Sequence, residues 1–485
     1  MLLNLQPLHR RLLMKHTTRP LISYALVLLI SIITGCASSP KHFDDPVAVM
    51  LKKDESVSVR LKAAQQAQQE TPNSDSRLAA LQTLVWEWGH PQELRHYAID
   101  QLIEHDEEAF RQQMHRRIVQ VKNWGTIEYL FKIAKERHWG DSFTPTVVRQ
   151  YARPVHGIKE EDRPEREVLK QMHPDKSIEE IVFEVFVNAG KEQKIISQAD
   201  AWDLLGRIST KEQMLDYLKR APGDTAMVID LKAAAQNLNV TAFNKEGSLW
   251  LSYLRKPEMH AYWQQLTDVV ATLNDEQKKD LKLRHLAPLL AATPQQRSQS
   301  RIDLISSINA YVNSQTHYLK GATYDGGSAD HPQEFSNWVD KLTWPDLLAI
   351  NQIITALQSH MVTSNLFAWA DSDQQDTSTE YGGTIRKDDG VYEAKLFKPR
   401  IRRHDRIFYP TPRMYDDLYT ALAHYHFHAQ EFHNESYAGP GLGDLKFAQQ
   451  NQFSCLSFTF IDENNMNVDY YQEDDIVVDL GTIVR

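Results

Sequence analysis

Cysteine is nearly absent: the 485-residue chain has two, Cys36 and Cys455. That excludes a disulfide scaffold and a zinc site built from cysteine alone. Positive charge is also in short supply. Lys and Arg number 54 against 64 Asp and Glu, for a net charge of −10, which excludes a nucleic-acid binder held by a basic surface. No Gly-rich phosphate loop or dinucleotide fingerprint follows a suitable strand, so no nucleotide is expected. No apolar run is long enough for a comfortable transmembrane helix. What remains is a chain with 42% hydrophobic and 24% charged residues, enough for a large core and more than one domain.

The N-terminus has the layout of a secretory leader. Arg10, Arg11, Lys15 and Arg19 precede an apolar run from Leu21 to Ile33, of h-region length. Met14 is an alternative start, because the stretch before it is long for an n-region. Ile33-Thr34-Gly35-Cys36 resembles a bacterial lipobox. The resemblance implies a signal peptide over residues 1–35, lipidation of Cys36 and attachment to a membrane through acyl chains, each buried methylene adding about 0.8 kcal/mol. Ala37 stands where an inner-membrane retention Asp sits in such proteins, so the resemblance favours the outer membrane within the cell envelope. Residues 36–55 then read as a tether.

Residues 56–370 read as helical. Leu78, Leu81, Val85 and Trp88 recur at spacings of three and four, marking one apolar face, and Gly89-His90-Pro91 breaks the chain before a helix carrying Leu94, Ala98 and Leu102. Val59-Arg60-Leu61-Lys62-Ala63 and Leu94-Arg95-His96-Tyr97-Ala98 both read apolar-Arg-x-x-Ala, about 35 residues apart. This resembles the inner helix of HEAT-type repeats over residues 56–137, and the alternative is an irregular helical domain. Gly and Pro between Lys320 and Pro332 mark a loop, and the polar run 371–379 reads as a linker. Residues 380–485 turn strand-like, at Gly383–Ile385, Val391–Phe397, Arg406–Tyr409, Ala423–Ala429, Cys455–Ile461, Val468–Tyr471 and Ile476–Leu480, with helices at Met414–Leu422 and after Asp444. The expected fold class is α+β multidomain, an all-α helical-repeat region followed by an α+β domain.

Histidines crowd this last region. In a strand, His424, His426 and His428 project from one face while Tyr425 and Phe427 face the other, and imidazole is a common zinc ligand. His433 follows, either near a metal or solvated. Downstream, Gly439-Pro440-Gly441-Leu442-Gly443-Asp444 delivers a carboxylate at a helix start, and upstream Glu380 enters a strand. Early Glu, His-x-His strand and Asp turn, in that order, resemble the JAB/Mov34 (JAMM) metallopeptidase family. The resemblance implies one zinc ion on His426, His428 and Asp444, with Glu380 as the catalytic general base and a protein or peptide as substrate. His424 with His426 is an equally good pair on geometry; Tyr425 at the family's aromatic position favours His426 with His428.

Three features depart from the family. Gly441 replaces the Ser that helps hold the oxyanion, leaving Ser436 or a backbone N–H to supply a donor. Ala429 replaces a Pro, and the interval from His428 to Asp444 is longer by several residues. Two functions therefore stand: an envelope-anchored zinc hydrolase of peptide or isopeptide bonds, and a non-catalytic lipoprotein scaffold whose helical-repeat surface binds proteins beside a degenerate JAB-like domain. Elsewhere, Cys455 reads as a buried structural residue, Arg400–Arg403 as a solvated basic loop, and Glu463 and Glu473–Asp475 as turns.

Overall fold

The computed structural model describes residues 42–155, 157–189, 196–318, 332–399, 401–402 and 407–485. The expected signal peptide, Cys36, the loop 320–331 and much of the Arg400–Arg403 patch lie outside the described residues. Helices begin where short polar side chains can hold the first free N–H groups. Ser56 accepts from Val59 N, Asp106 from Ala109 N and Asn123 from Thr126 N, while Thr210 and Thr343 form capping boxes with Gln213 and Asp346. Each such cap contributes about 1 kcal/mol.

The chain divides into two compact units, one ending at Ala80 and one running from Leu81 to Arg485. The division falls inside the helix Asp75–Trp86. The first unit contains the helices Pro46–Leu51 and Val57–Glu70. There the buried Arg60 turns back, and its Nε donates to Met50 O at 2.9 Å. The second unit repeats the device. Arg95 is buried and donates to Val85 O, Glu87 O and His90 O, closing the end of the helix before it. In both motifs the Ala four positions from the apolar residue is fully buried, as Ala63 and Ala98. The guanidinium thus satisfies carbonyls that a helix terminus leaves open. Trp88 departs from expectation: the helix stops at Trp86, and Trp88 lies beyond it, 83% exposed.

In the second unit, helices from Gln92–His105 to His360–Gln375 precede a six-stranded sheet, an α+β layout. The strands are β1 (Gly382–Asp388), β2 (Val391–Phe397), β3 (Ala423–His428), β4 (Cys455–Asp462), β5 (Asn465–Tyr471) and β6 (Val477–Val484). Their order is β2-β1-β3-β4-β5-β6, parallel between β3 and β4 and antiparallel elsewhere. The helix Trp344–Leu357 is buried around nearly its whole circumference, as a central helix must be. The expected strand at 406–409 does not form among the described residues 407–409. No helix of the described residues is long and apolar enough to cross a membrane.

The expected linker 371–379 is not a break in packing. The helix His360–Gln375 runs through its first half, because Asp373 turns inward, buried, and its Oδ1 accepts from Tyr381 N at 2.6 Å. The chain before residue 320 and the strand-bearing region are also bonded directly. Trp250 Nε1 donates to Tyr419 O at 2.8 Å, Lys387 Nζ to Ala291 O at 2.7 Å, and Thr482 N to Thr316 O at 3.0 Å.

A buried charge network adds to this. Arg284 lies between Asp346, at 2.7 Å, and Glu473, at 2.5 Å, and Lys282 also pairs with Glu473. Glu473 is therefore more than a turn residue. His285 accepts from Lys282 N through Nδ1, and its Nε2 lies 2.9 Å from Asp346 Oδ1. Nδ1 being an acceptor, the ring is neutral, and burial together with Arg284 pushes its pKa down to about 4. The unfolded chain then takes up a proton near pH 6.5 that the folded chain refuses until about pH 4, so stability falls as pH drops through that window.

Two outcomes follow. Arg284→Ala leaves the buried Asp346 without its cation and Glu473 with Lys282 alone, and lowers unfolding free energy by about 3–5 kcal/mol in denaturant titrations. The loss of stability between pH 6.5 and 4 becomes shallower by about one proton in His285→Gln, read from unfolding curves across that range.

Candidate metal centre

β3 is central, and its odd and even residues meet different surroundings. Tyr425 and Phe427 are fully buried on one face, where Trp369 of the helix His360–Gln375 stacks parallel to Tyr425 at 6.3 Å. The three histidines share the other face. Gly382 of β1 pairs with His426, and Phe427 N donates to Tyr381 O at 3.1 Å, which carries the ladder one step further. Cross-strand neighbours share a face, so Glu380 falls opposite His428. Two glycines permit this approach. A Cβ on Gly382 would lie 2.6 Å from Tyr425 O, and one on Gly383 would lie 1.9 Å from Lys395 O.

Asp444 arrives from the other side. Gly439, at φ +90°, turns the chain where a Cβ would meet Gln333 Nε2 at 2.5 Å. The helix Leu442–Asn451 then starts with Asp444 in its first turn, and Asp444 Oδ2 accepts from Gly441 N at 2.7 Å. The helix terminus favours the carboxylate there.

The three ligand atoms meet. His426 Nε2 and His428 Nε2 are 3.1 Å apart, and Asp444 Oδ2 is 3.5 Å from the first and 3.9 Å from the second. His426, His428 and Asp444 form a group able to hold a metal ion, with all ligand atoms within 4.8 Å of one another. His428 Nδ1 lies 2.8 Å from Tyr437 O. A carbonyl only accepts, so Nδ1 carries the hydrogen and Nε2 presents its lone pair. Tyr471 Oη stands 3.4 Å from His426 Nδ1, placed to accept its hydrogen when Nε2 is a ligand. Burial opposes a charge on His426, yet Asp444 and Glu380 outweigh it and raise its pKa. Burial also works against the Asp444 carboxylate, but the two imidazoles and the Gly441 N–H hold its pKa well below the usual carboxylate range.

A cavity of about 210 Å³ opens on this group, lined by Glu380, His428, Gln430, Gly441 and Asp444 among others. Glu380 is buried in its wall, and Gln430 Nε2 donates to Glu380 Oε1 at 3.3 Å. All four expected residues therefore come together. His424 stays outside the group: its Nδ1 is 3.0 Å from Gly383 O, Phe447 packs 5.2 Å away, and burial pushes its pKa down to about 3. His433 points to solvent, its side chain 80% exposed, with Glu435 at 3.7 Å. Ser436 is exposed and does not line the cavity. Cys455 is buried and free, and Arg402 pairs with Asp376.

Sequence reasoning did not find Gln430, Asn434, Tyr437 or Tyr471, which surround the ligands. Their residue types recur throughout the chain, and only the loop path after β3, with the end of β5 for Tyr471, gives them a role. Compared with known proteins, the chain matches no family model, no curated protein and no solved structure.

Placing His424 outside the group has a direct consequence. His424→Asn, whose amide can still donate to Gly383 O, is expected to bind one divalent ion per chain with an affinity within a few-fold of wild type. Isothermal titration of the metal-free protein measures this, and loss of binding would make His424 a ligand.

Proposed function

We propose that residues 380–485 act as a JAB/Mov34-like zinc hydrolase that cleaves a peptide or isopeptide bond, carried by a lipoprotein anchored in the cell envelope. The observation that carries the reading is the meeting of His426, His428 and Asp444 in one group able to hold a metal ion, with Glu380 lining the same small cavity as His428 and Asp444. The donor set suits zinc. Two imidazole nitrogens and one carboxylate oxygen make three protein ligands, and ligands about 2.0–2.1 Å from a tetrahedral ion stand about 3.3 Å from one another, against separations here of 3.1, 3.5 and 3.9 Å, two of them close to that value.

When bound, zinc lowers the pKa of a coordinated water to about 7 and polarises a carbonyl. His426, His428 and Asp444 would hold the ion. Glu380, outside the ligand group, takes the proton from the attacking water and returns it to the leaving nitrogen, contributing about 10²–10⁴-fold. One amide and one water become one carboxylic acid and one amine. The helical region presents the partner, with Arg60 and Arg95 in equivalent roles as support for a HEAT-like repeat. Lipid on Cys36 places the protein at a membrane, the outer membrane by the residue after it.

One observation favours a second reading, the non-catalytic scaffold: Gly441 offers no side-chain donor where the family has Ser. Zinc analysis of the purified full chain separates the two. The hydrolase reading expects one zinc per chain, lost in His426→Ala, His428→Ala and Asp444→Ala, together with chelator-sensitive cleavage of a peptide library. Glu380→Gln is expected to keep zinc and lose at least 10²-fold in rate. A wild-type chain without zinc ends the hydrolase reading; zinc without cleavage leaves the scaffold.

A further inference from the structure

A general base acts only while its carboxylate stays within hydrogen-bond reach of the proton it removes, so neighbouring groups must lock its side chain. Glu380 lies two residues before β1, where the strand ladder does not yet hold it. A contact reaches it from the loop after β3: Gln430 Nε2 donates to Glu380 Oε1 at 3.3 Å. Behind Gln430 stands the buried Asn434, whose Nδ2 donates to Gln430 Oε1 at 3.1 Å and to His428 O at 3.0 Å. The backbone of Asn434 is held as well. Its N–H donates to Phe460 O of β4 at 3.0 Å, and its carbonyl accepts from Tyr437 N at 2.9 Å. Tyr437 O is the acceptor for His428 Nδ1.

The polarity of this chain of bonds is forced. A peptide carbonyl and an ionised carboxylate only accept, and they stand at its two ends, as His428 O and Glu380. Asn434 must therefore turn its nitrogen toward His428 O, and the same nitrogen meets the oxygen of Gln430. That leaves the Gln430 nitrogen for Glu380. An aspartate at 434 would reverse the order. Having no N–H to give, it would draw the Gln430 nitrogen to itself and turn the Gln430 oxygen toward the Glu380 carboxylate.

We propose that Asn434, acting through Gln430, is the positioning residue that aims Glu380 at the metal group, so that the strand end carrying the ligand His428 also sets the general base. This rests on the hydrolase reading and specifies how its site is held. Both amides act through Glu380, and neither is counted as catalytic.

The test uses the full chain loaded with cobalt(II), whose visible absorption responds to the groups around its open coordination position. Glu380→Ala is expected to keep one cobalt per chain and to shift the bands. Gln430→Leu, which removes the N–H and keeps a side chain of similar size, is expected to keep cobalt and shift the bands the same way. Asn434→Asp does likewise, and Asn434→Ser serves in its place if that variant does not fold. Added to Glu380→Ala, Gln430→Leu shifts the bands no further, because residues that act through one another are not additive; a merely structural role would add its own shift. Wild-type bands in Gln430→Leu, or in both Asn434 variants, overturn the proposal while leaving the metal site standing. Loss of cobalt in Gln430→Leu overturns it by making Gln430 a structural support. A wild-type chain that takes no cobalt, or bands unmoved in Glu380→Ala, removes the hydrolase reading and this proposal together.

Discussion

The candidate site depends on the register between β1 and β3. With Gly382 opposite His426, Glu380 stands across from His428 on the same face. A slip of one residue would send Glu380 to the face occupied by Tyr425 and Phe427, because side chains alternate along a strand. Several contacts hold the register. Gly383 sits where any Cβ would collide with Lys395 O, and Gly382 where one would collide with Tyr425 O. His424 Nδ1 meets Gly383 O, and the Tyr425 hydroxyl donates to Lys395 O across β1 at 3.2 Å. The histidine outside the ligand group thus helps to align those within it.

The sheet owes its own position to the helices before it. Arg284, Asp346, Glu473 and His285 tie residues 282–285, the helix Trp344–Leu357 and the β5–β6 turn together at a buried point. Taking such charges out of water costs several kcal/mol, recovered only when each has its partner. The network therefore fixes which helix meets which turn, while apolar burial supplies most of the stability. Trp250 and Tyr419, with ring centroids 5.5 Å apart, extend the same joint. A separable small domain at residues 380–485 would lose these partners, so Leu81–Arg485 is the compact unit.

Much of this could be read from the sequence, and the omissions have physical reasons. Helix positions followed from apolar spacing at three and four, and all six strands overlap the strand-like runs; β1 and β6 continue beyond the expected runs, to Asp388 and Val484. Strand alternation placed three imidazoles on one face, which the structure has. It could not say which pair shares an ion, because that depends on where Asp444 arrives after a long loop. The run 371–379 reads as a linker by composition, yet Asp373 is an inward hydrogen-bond acceptor, and composition carries no orientation. Trp88 fits a helical face only if the helix continues, and it ends two residues earlier. Glu473 reads as a turn acid because its partner Arg284 is far away in the chain.

The charge of the cavity bears on what reaction the site can support. Among the described residues lining it, Glu380, Glu431 and Asp444 are acidic, and none is Lys or Arg. A dication on His426, His428 and Asp444 would be neutralised by Asp444 and Glu380, leaving Glu431 at the rim. His424, held neutral by burial, adds no positive charge from beneath. Phosphoryl transfer calls for cations around the transferring group, and this wall has none to offer beyond the ion itself. The acidic wall, without Lys or Arg among its described residues, suits a neutral or cationic ligand better than an anionic phosphate.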